Sequence, residues 1–303
     1  MRKICSIFVA IAMICALLLP ASAKEIATEP TSVCTSSIYM STDEKLSFME
    51  RMDAKFETDS QNGNMKTASR EVIDNLIMEA SFASGAEKDK ISQELATYGI
   101  YIFNTESTAG NMAIPRIGTG DVTLNTPLVV YDSLLKSWIV TCGGVWNNNN
   151  FDVGYKFGNI GGEDAFGVGY TNIASQYKSS VVKASGMITD DSGDISLSTS
   201  NRSDGDGSKG FGFRLQDYTV SVLMSRKYVG YKWYGSCTYD INFASYSGIA
   251  TAYYVHTWNS AEITSIRFGL EGRTAGVEIS VDVSSKSFTA FSSDKIFGTA
   301  YGS

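Results

Sequence analysis

Two aspartates set among glycines, Asp204 and Asp206 in SNRSDGDGSKGFGF (200–213), are the first residues of this chain whose types and spacing suggest a chemistry. Alternating carboxylates and glycines resemble the opening of a calcium loop. Such a loop also needs ligands at fixed alternate positions and a bidentate glutamate to close the ring. Here the next residues are Ser208, Lys209, Gly210 and Phe211, so no carboxylate stands at the closing position. A neighbouring run supplies Asp190, Asp191 and Asp194. A surface calcium site formed by Asp194, Asp204 and Asp206 is therefore the weaker of two readings. The stronger is a hairpin loop joining a strand at 195–199 to one at 211–215, with Asp and Gly serving turn geometry.

Two further stretches hold candidate ligand-binding residues. In GGVWNNNNFD (143–152), four asparagines lie between Trp146 and Phe151. Trp146 and Asn148 could present an aromatic face and an amide to a sugar, or the asparagines could simply supply left-handed backbone positions in a loop. In TAYYVHTWNS (251–260), strand alternation puts Tyr254, His256 and Trp258 on one face, with Ile249, Tyr253 and Val255 on the other. If the second face is the core, the first is an outward stacking platform. If the first is inside, His256 is a packed core histidine. Both faces are apolar, so alternation does not choose.

Most catalytic classes are disfavoured. His256 is the single histidine, and no G-x-S-x-G elbow accompanies it, so a serine triad lacks its nucleophile context. One histidine with scattered cysteines cannot make the usual zinc ligand sets. The glycines of GYKFGNIGG and FGVGYTN come without the lysine and hydroxyl of a phosphate loop. Paired carboxylates for glycoside hydrolysis are available at Asp152, Glu163, Asp164, Glu262 and Glu271, with no spacing to select a pair. The balance leans away from an enzyme, and no cofactor is called for apart from the weak calcium option.

The elements that would position these residues change period along the chain. After a polar leader at 24–40 comes a helical region at 41–105. Ser41 with Glu44 and Ser84 with Glu87 have capping-box spacing. Leu46, Met49, Met52 and Phe56 form one helical stripe, Val72, Ile73, Leu76, Ile77 and Ala80 a second, and Gly99 is placed to end a third helix. IYIF at 100–103 reads as extended. Beyond a connecting segment at 106–136, the period becomes two over 137–303. Phe211, Phe213 and Leu215 alternate, as do Tyr218, Val220, Val222 and Met224, and Val277, Ile279, Val281 and Val283. The expected fold is mainly β, an antiparallel sandwich or barrel behind a short helical N-terminal region, α+β overall.

Residues 1–23 have a basic start, an apolar run and an Ala-Ser-Ala ending, the layout of a secretory signal peptide cleaved after Ala23, of a form compatible with a bacterial source. No later stretch of sequence is long and apolar enough for a transmembrane helix. Loss of Arg2 and Lys3 from the 25 basic residues leaves 23 against 32 acidic ones, a net charge of −9 that disfavours nucleic acid as a partner. Cys142 and Cys237 both fall in strand-like sequence; in an oxidising compartment they could pair, or they could be buried thiols, while Cys34 is left over.

Together these features predict a secreted, non-catalytic β domain that binds an extracellular ligand, with polysaccharide or cell wall as the candidate. Two other classes fit parts of the chain. The alternation in SVDVSSKSFTAFSS and TVSVLMS also suits a membrane-active, pore-forming protein. The acidic helical region also suits the pro-segment of a secreted hydrolase. Oligomeric state has no signature in the sequence.

Overall fold

A computed structural model describes residues 42–103, 121–149, 151, 157–171, 179–223, 225–246, 248–258, 262–270, 276–282, 287–291 and 295–297. Ser41 and Cys34 lie outside these residues, as do the signal sequence and the leader.

Three helices come first: α1 (Thr42–Gln61), α2 (Arg70–Phe82) and α3 (Gly85–Ala96). Ser69 caps α2 by accepting from the Val72 amide, while Ser84 stands at the N-cap of α3 without a side-chain hydrogen bond. Gly99, at φ 77°, turns the chain out of α3, and a β carbon there would press on Phe56 of α1.

The strands follow as β1 (Ile100–Ile102), β2 (Val122–Leu124), β3 (Val129–Asp132), β4 (Ser137–Trp146), β5 (Gly158–Thr171), β6 (Val181–Thr189), β7 (Ser196–Thr199), β8 (Gly210–Val222), β9 (Ser225–Val229) and β10 (Lys232–Tyr239). A 3-10 helix (Ile241–Ser245) then leads to β11 (Gly248–Thr257), β12 (Ile263–Phe268), β13 (Val277–Val281), β14 (Ser287–Phe291) and β15 (Lys295–Phe297). All the pairings are antiparallel. The first sheet runs β1-β3-β4-β10-β6-β7, with β2 also on β4; the second runs β14-β11-β5-β8-β9, with β15 also on β11. β12 and β13 form a separate ribbon.

The two sheets pack face to face as a sandwich. Trp138, Val140, Trp233 and Tyr239 of the first meet Phe166, Phe211, Phe213 and Tyr254 of the second in one buried cluster. On the outer side of the first sheet, Ile73, Ile77 and Ala80 of α2 and Ile91 and Leu95 of α3 cover Ile100, Ile102, Val130 and Ile139. The predicted apolar stripe of α2 thus finds its sheet, although Val72 points outward. On the outer side of the second sheet, Ile263, Ile266 and Val277 of the ribbon cover Ala165, Tyr253 and Val255.

The helices are fastened as well as packed. Phe48 of α1 lies against Phe103 and Trp138. Asp53 accepts from the Tyr131 hydroxyl at 2.9 Å and pairs with Lys136 at 2.7 Å. Lys45 is fully buried and donates to the carbonyls of Phe243 and Tyr246 on the 3-10 helix. In the full chain the helical region is thus both packed on the sandwich and hydrogen-bonded to it.

Two sequence expectations need correction. β7 and β8 do not form a hairpin: β7 pairs with β6 in the first sheet and β8 with β5 in the second. The loop at 200–209 is a crossover between sheets. Cys142 and Cys237 are both buried and free. They sit on neighbouring strands, yet Cys142 is opposite Gly235 and Cys237 opposite Val140. That diagonal offset places Cα atoms about 7–8 Å apart, beyond ordinary disulfide reach. Burial pushes the Cys237 thiol up to about 11 and the Cys142 thiol higher still, so both behave as small hydrophobes.

Candidate functional site

The chemistry of this chain gathers at one end of the second sheet, where a β-bulge re-aims three strands. β5 and β8 are in register from Glu163–Gln216 onward, but Asn159 is already opposite Tyr218. Ile160, Gly161 and Gly162 therefore face the single residue Asp217. Gly161 takes φ 63°, and a β carbon there would run into the Thr257 carbonyl, so glycine is required. Gln216 Nε2 holds the bulge by donating to the Ile160 and Gly162 carbonyls at 3.3 and 3.1 Å, and Thr257 Oγ1 accepts from the Gly162 amide at 3.1 Å.

Inside this bulge, Asp164 of β5, Asp217 of β8 and His256 of β11 turn toward the space between the sheets, exposed by 1%, 0% and 0%. His256 Nδ1 lies 3.0 Å from both oxygens of Asp164 and 3.8 Å from Asp217 Oδ2. Asp164 also accepts from the Tyr254 hydroxyl at 2.7 Å and the Thr257 amide at 3.1 Å. Asp217 accepts from the Tyr228 hydroxyl at 2.8 Å. Burial, with the Asp164 charge adding to it, pushes the Asp217 carboxyl far above the usual carboxylate range. Trp146 Nε1 donates to the Tyr254 hydroxyl at 3.2 Å, and the Trp146 ring meets His256 edge-on at 5.1 Å.

The outward stacking platform on β11 is thereby overturned. Tyr254 and His256 face the inter-sheet core, and the opposite face, Tyr253 and Val255, is buried under the β12–β13 ribbon. Trp258, half-buried, stands edge-on to His256 at 4.7 Å. Trp146 is buried, and Asn148 is tied down by donating to Asp121 at 2.7 Å. Three of the five candidate ligand-binding residues therefore meet one another, away from solvent.

An accessible cleft lies immediately outside. It measures about 500 Å³ and is lined by Asn149, Phe151, Arg226, Lys227, Tyr228 and Tyr231, among others. Phe151 stacks on Tyr228 at 3.9 Å and meets Tyr231 edge-on. Tyr228 connects cleft and core, its ring facing the cleft and its hydroxyl bonding Asp217. A second groove of about 650 Å³, between α2 and the first sheet, has a more apolar wall that includes Met78, Phe82, Met187 and Tyr234.

The candidate calcium residues do not converge. Asp204 is held by a two-pronged bond from Arg214, at 2.8 and 2.6 Å. Asp206 accepts from the Ser208 amide and hydroxyl at 2.8 and 2.7 Å; burial alone would raise its carboxyl, but these bonds outweigh it and hold it below the usual value. Asp194 belongs to the other loop, where it accepts from Ser192 at 2.8 Å. Among the described residues, the acidic side chains that converge with a histidine are Asp164 and Asp217. Of the acids considered for hydrolysis, Asp152 and Glu271 lie outside the described residues, Glu163 and Glu262 are exposed, and Asp164 is buried.

Asp217 escaped the sequence reading because the apolar pattern of β8 shifts after Leu215, from odd to even residues. The strand does not follow that shift. Asp217 and Thr219 stay buried, and Val222 is exposed. Strict alternation carried on from Phe211, Phe213 and Leu215 would have flagged a carboxylate at a core position.

No family model matches the chain. No curated protein matches it either. Among solved structures there is a faint likeness to a chain described as "pH-induced modulation of Streptococcus parasanguinis adhesion by Fap1 fimbriae". The identity is 13%, over 67% of this chain and 90% of that one, with a TM-score of 0.26. A likeness at that level carries neither fold nor function across.

Proposed function

We propose that this chain is an exported, non-catalytic binding protein whose ligand, a polysaccharide or cell-wall glycan, lies in the cleft beside Phe151, Tyr228 and Tyr231. One observation carries the reading. The asparagine run delivers Asn149 and Phe151 to the same 500 Å³ cleft as Arg226, Lys227, Tyr228 and Tyr231. Sugars are bound where an aromatic face takes the ring and amides or charged groups take the hydroxyls. Half-buried Tyr231, beside exposed Asn149, supplies that face in this cleft. Its aromatic floor is preorganised, since Phe151 is stacked and Tyr228 anchored to Asp217. Catalysis is disfavoured because Asp164 and Asp217 are sealed from the cleft, leaving no room for a sugar ring between them. Among the described residues, no helix is long and apolar enough to cross a membrane.

The test is co-sedimentation of the mature protein with cellulose, chitin, peptidoglycan and whole cell walls, followed by titration of soluble fragments. Retention on at least one is expected, with Asn149→Ala weakening it about tenfold at unchanged melting temperature. Tyr231→Ala should weaken it as much, with a lowered melting temperature from lost packing. No retention on any of them, or undiminished retention by the double variant, would sink the reading.

A further inference from the structure

The Asp164–Asp217–His256 centre brings two carboxyl groups and an imidazole together in the core. Both carboxyl groups are in dry surroundings, and among the described residues neither Lys nor Arg pairs with either; each instead lies beside His256 Nδ1, at 3.0 and 3.8 Å. Buried charges are ordinarily paired or bound to a metal. A proton is the simplest remedy, yet on Asp164 the hydrogen bonding leaves it badly placed. Asp164 Oδ1 already accepts from His256 and Thr257, and Oδ2 from His256 and Tyr254. Asp217 Oδ2 meets the Tyr228 hydroxyl. A proton on Asp217 Oδ2 would face the Tyr228 oxygen, which can accept it, so a cation must displace that proton on binding.

The geometry around Nδ1 suits such a cation. Nδ1 is equidistant, at 3.0 Å, from the two oxygens of Asp164, so it addresses the carboxylate as a whole rather than one oxygen. His256 Nε2 finds no partner among the described residues, so the polar anchorage of the ring runs through Nδ1. Equidistance is the arrangement of an imidazole nitrogen and a bidentate carboxylate around a common centre. A cation about 2.0–2.2 Å from nitrogen and oxygen ligands separates those ligands by roughly 3–4 Å. The spacings of 3.0 and 3.8 Å about Nδ1 fall in that range, and all three ligand atoms lie within 4.8 Å of one another.

We propose that Asp164, Asp217 and Nδ1 of His256 bind one divalent first-row cation of the zinc class. Its two positive charges would balance the two carboxylates. Calcium is the wrong occupant, since it takes six to eight oxygen ligands and avoids imidazole. The outer shell is in place, with Tyr254 and the Thr257 amide on Asp164, and Tyr228 on Asp217. The site is closed on all sides, as in structural rather than catalytic metal centres. It would clamp three adjacent strands, β11, β5 and β8, at the bulge. The usual histidine and cysteine zinc patterns are absent because carboxylates from distant parts of the chain supply the ligands.

Because the site is closed, the chain should be refolded from urea with zinc, with manganese, or with a chelator. Metal content by mass spectrometry and melting temperature are then read. One metal per chain is expected, with a melting temperature at least 5 °C above the chelated sample. Asp217→Asn, which keeps its size and its acceptor for Tyr228, should lose both the metal and the shift. Fewer than about 0.1 metal per chain with no shift would overturn the proposal, and so would an Asp217→Asn variant that retains the metal.

Discussion

The loop at 200–209 and the bulge at 160–162 are both glycine-bearing and both carry aspartates, yet they hold charge in opposite ways. In the loop, every described carboxylate is answered locally. Asp204 has the Arg214 fork, and Asp206 has Ser208 two residues on. At the bulge, Asp164 and Asp217 come from strands 53 positions apart and share a core with His256 and no lysine or arginine partner among the described residues. Acidic residues close in sequence here serve turn geometry. Acidic residues brought together by the sheet are held by tyrosine hydroxyls, a backbone amide and the one histidine.

The sharpest way to break this contrast is Asp164→Ala. It would strand the Tyr254 hydroxyl and the Thr257 amide in the core, and leave Asp217 facing His256 alone. Removing one member of a buried charge network costs about 3–5 kcal/mol. Urea unfolding should show a loss of that size, and a loss of about 2 kcal/mol or less would place the bulge in the same class as the loop.

Lys45 asks whether burial alone makes a charge expensive. It is also fully buried, but donates to the carbonyls of Phe243 and Tyr246. Desolvation lowers its pKa from 10.5 to about 7. With the folded value depressed, the unfolded chain binds the proton more tightly, so stability should rise as pH climbs from 7 toward 10 and stay flat below 7. The slope is at most about 1.4 kcal/mol per pH unit. Comparing the urea midpoints of wild type and Lys45→Met at pH 7 and pH 9 isolates it. The wild type should gain on the order of 2 kcal/mol relative to the variant, and parallel behaviour would mean the lysine is well solvated.

On the loop side, Asp204→Ala should cost about 1–2 kcal/mol, because it leaves the half-buried Arg214 guanidinium without its carboxylate. Millimolar calcium should leave the melting temperature of the wild type unchanged. A calcium-dependent rise abolished by Asp204→Ala would show that the loop opens to take a metal and would erase the distinction drawn here.

Much of the fold was legible in the residues, because single-faced elements announce themselves. Ile73, Ile77 and Ala80 face one sheet, and Phe211, Phe213 and Leu215 face one core. Legibility failed where an element is buried on both faces or breaks phase. β11 reads as ambiguous because the β12–β13 ribbon covers its second face, a contact that no local pattern in 249–258 encodes. The strands flanking the 200–209 loop look like hairpin partners, and nothing in their sequence shows that they belong to different sheets. Asp164 was visible as an acid and His256 as the single histidine. Their meeting with Asp217 depends on a bulge set by Gly161, whose need for positive φ is invisible until the Thr257 carbonyl is placed beside it.

The smallest effect concerns the backbone that the glycines of the loop share with one leucine. Gly205 and Gly207 take φ of 75° and 92°, conformations that favour glycine, which is why the stretch mimics a calcium motif. The β8–β9 turn needs the same backbone without the same residue: Leu223 sits at φ 48° and is 93% exposed. A leucine there bears the left-handed cost of about 1 kcal/mol and gains no burial in return. Leu223→Gly removes that strain but loosens the unfolded chain, so the net gain should be about 0.5 kcal/mol. A small upward shift in urea midpoint is expected, with the cleft lined by Ser225, Tyr228 and Tyr231 unaffected. A destabilised variant would mean that Leu223 makes a contact worth more than its backbone strain.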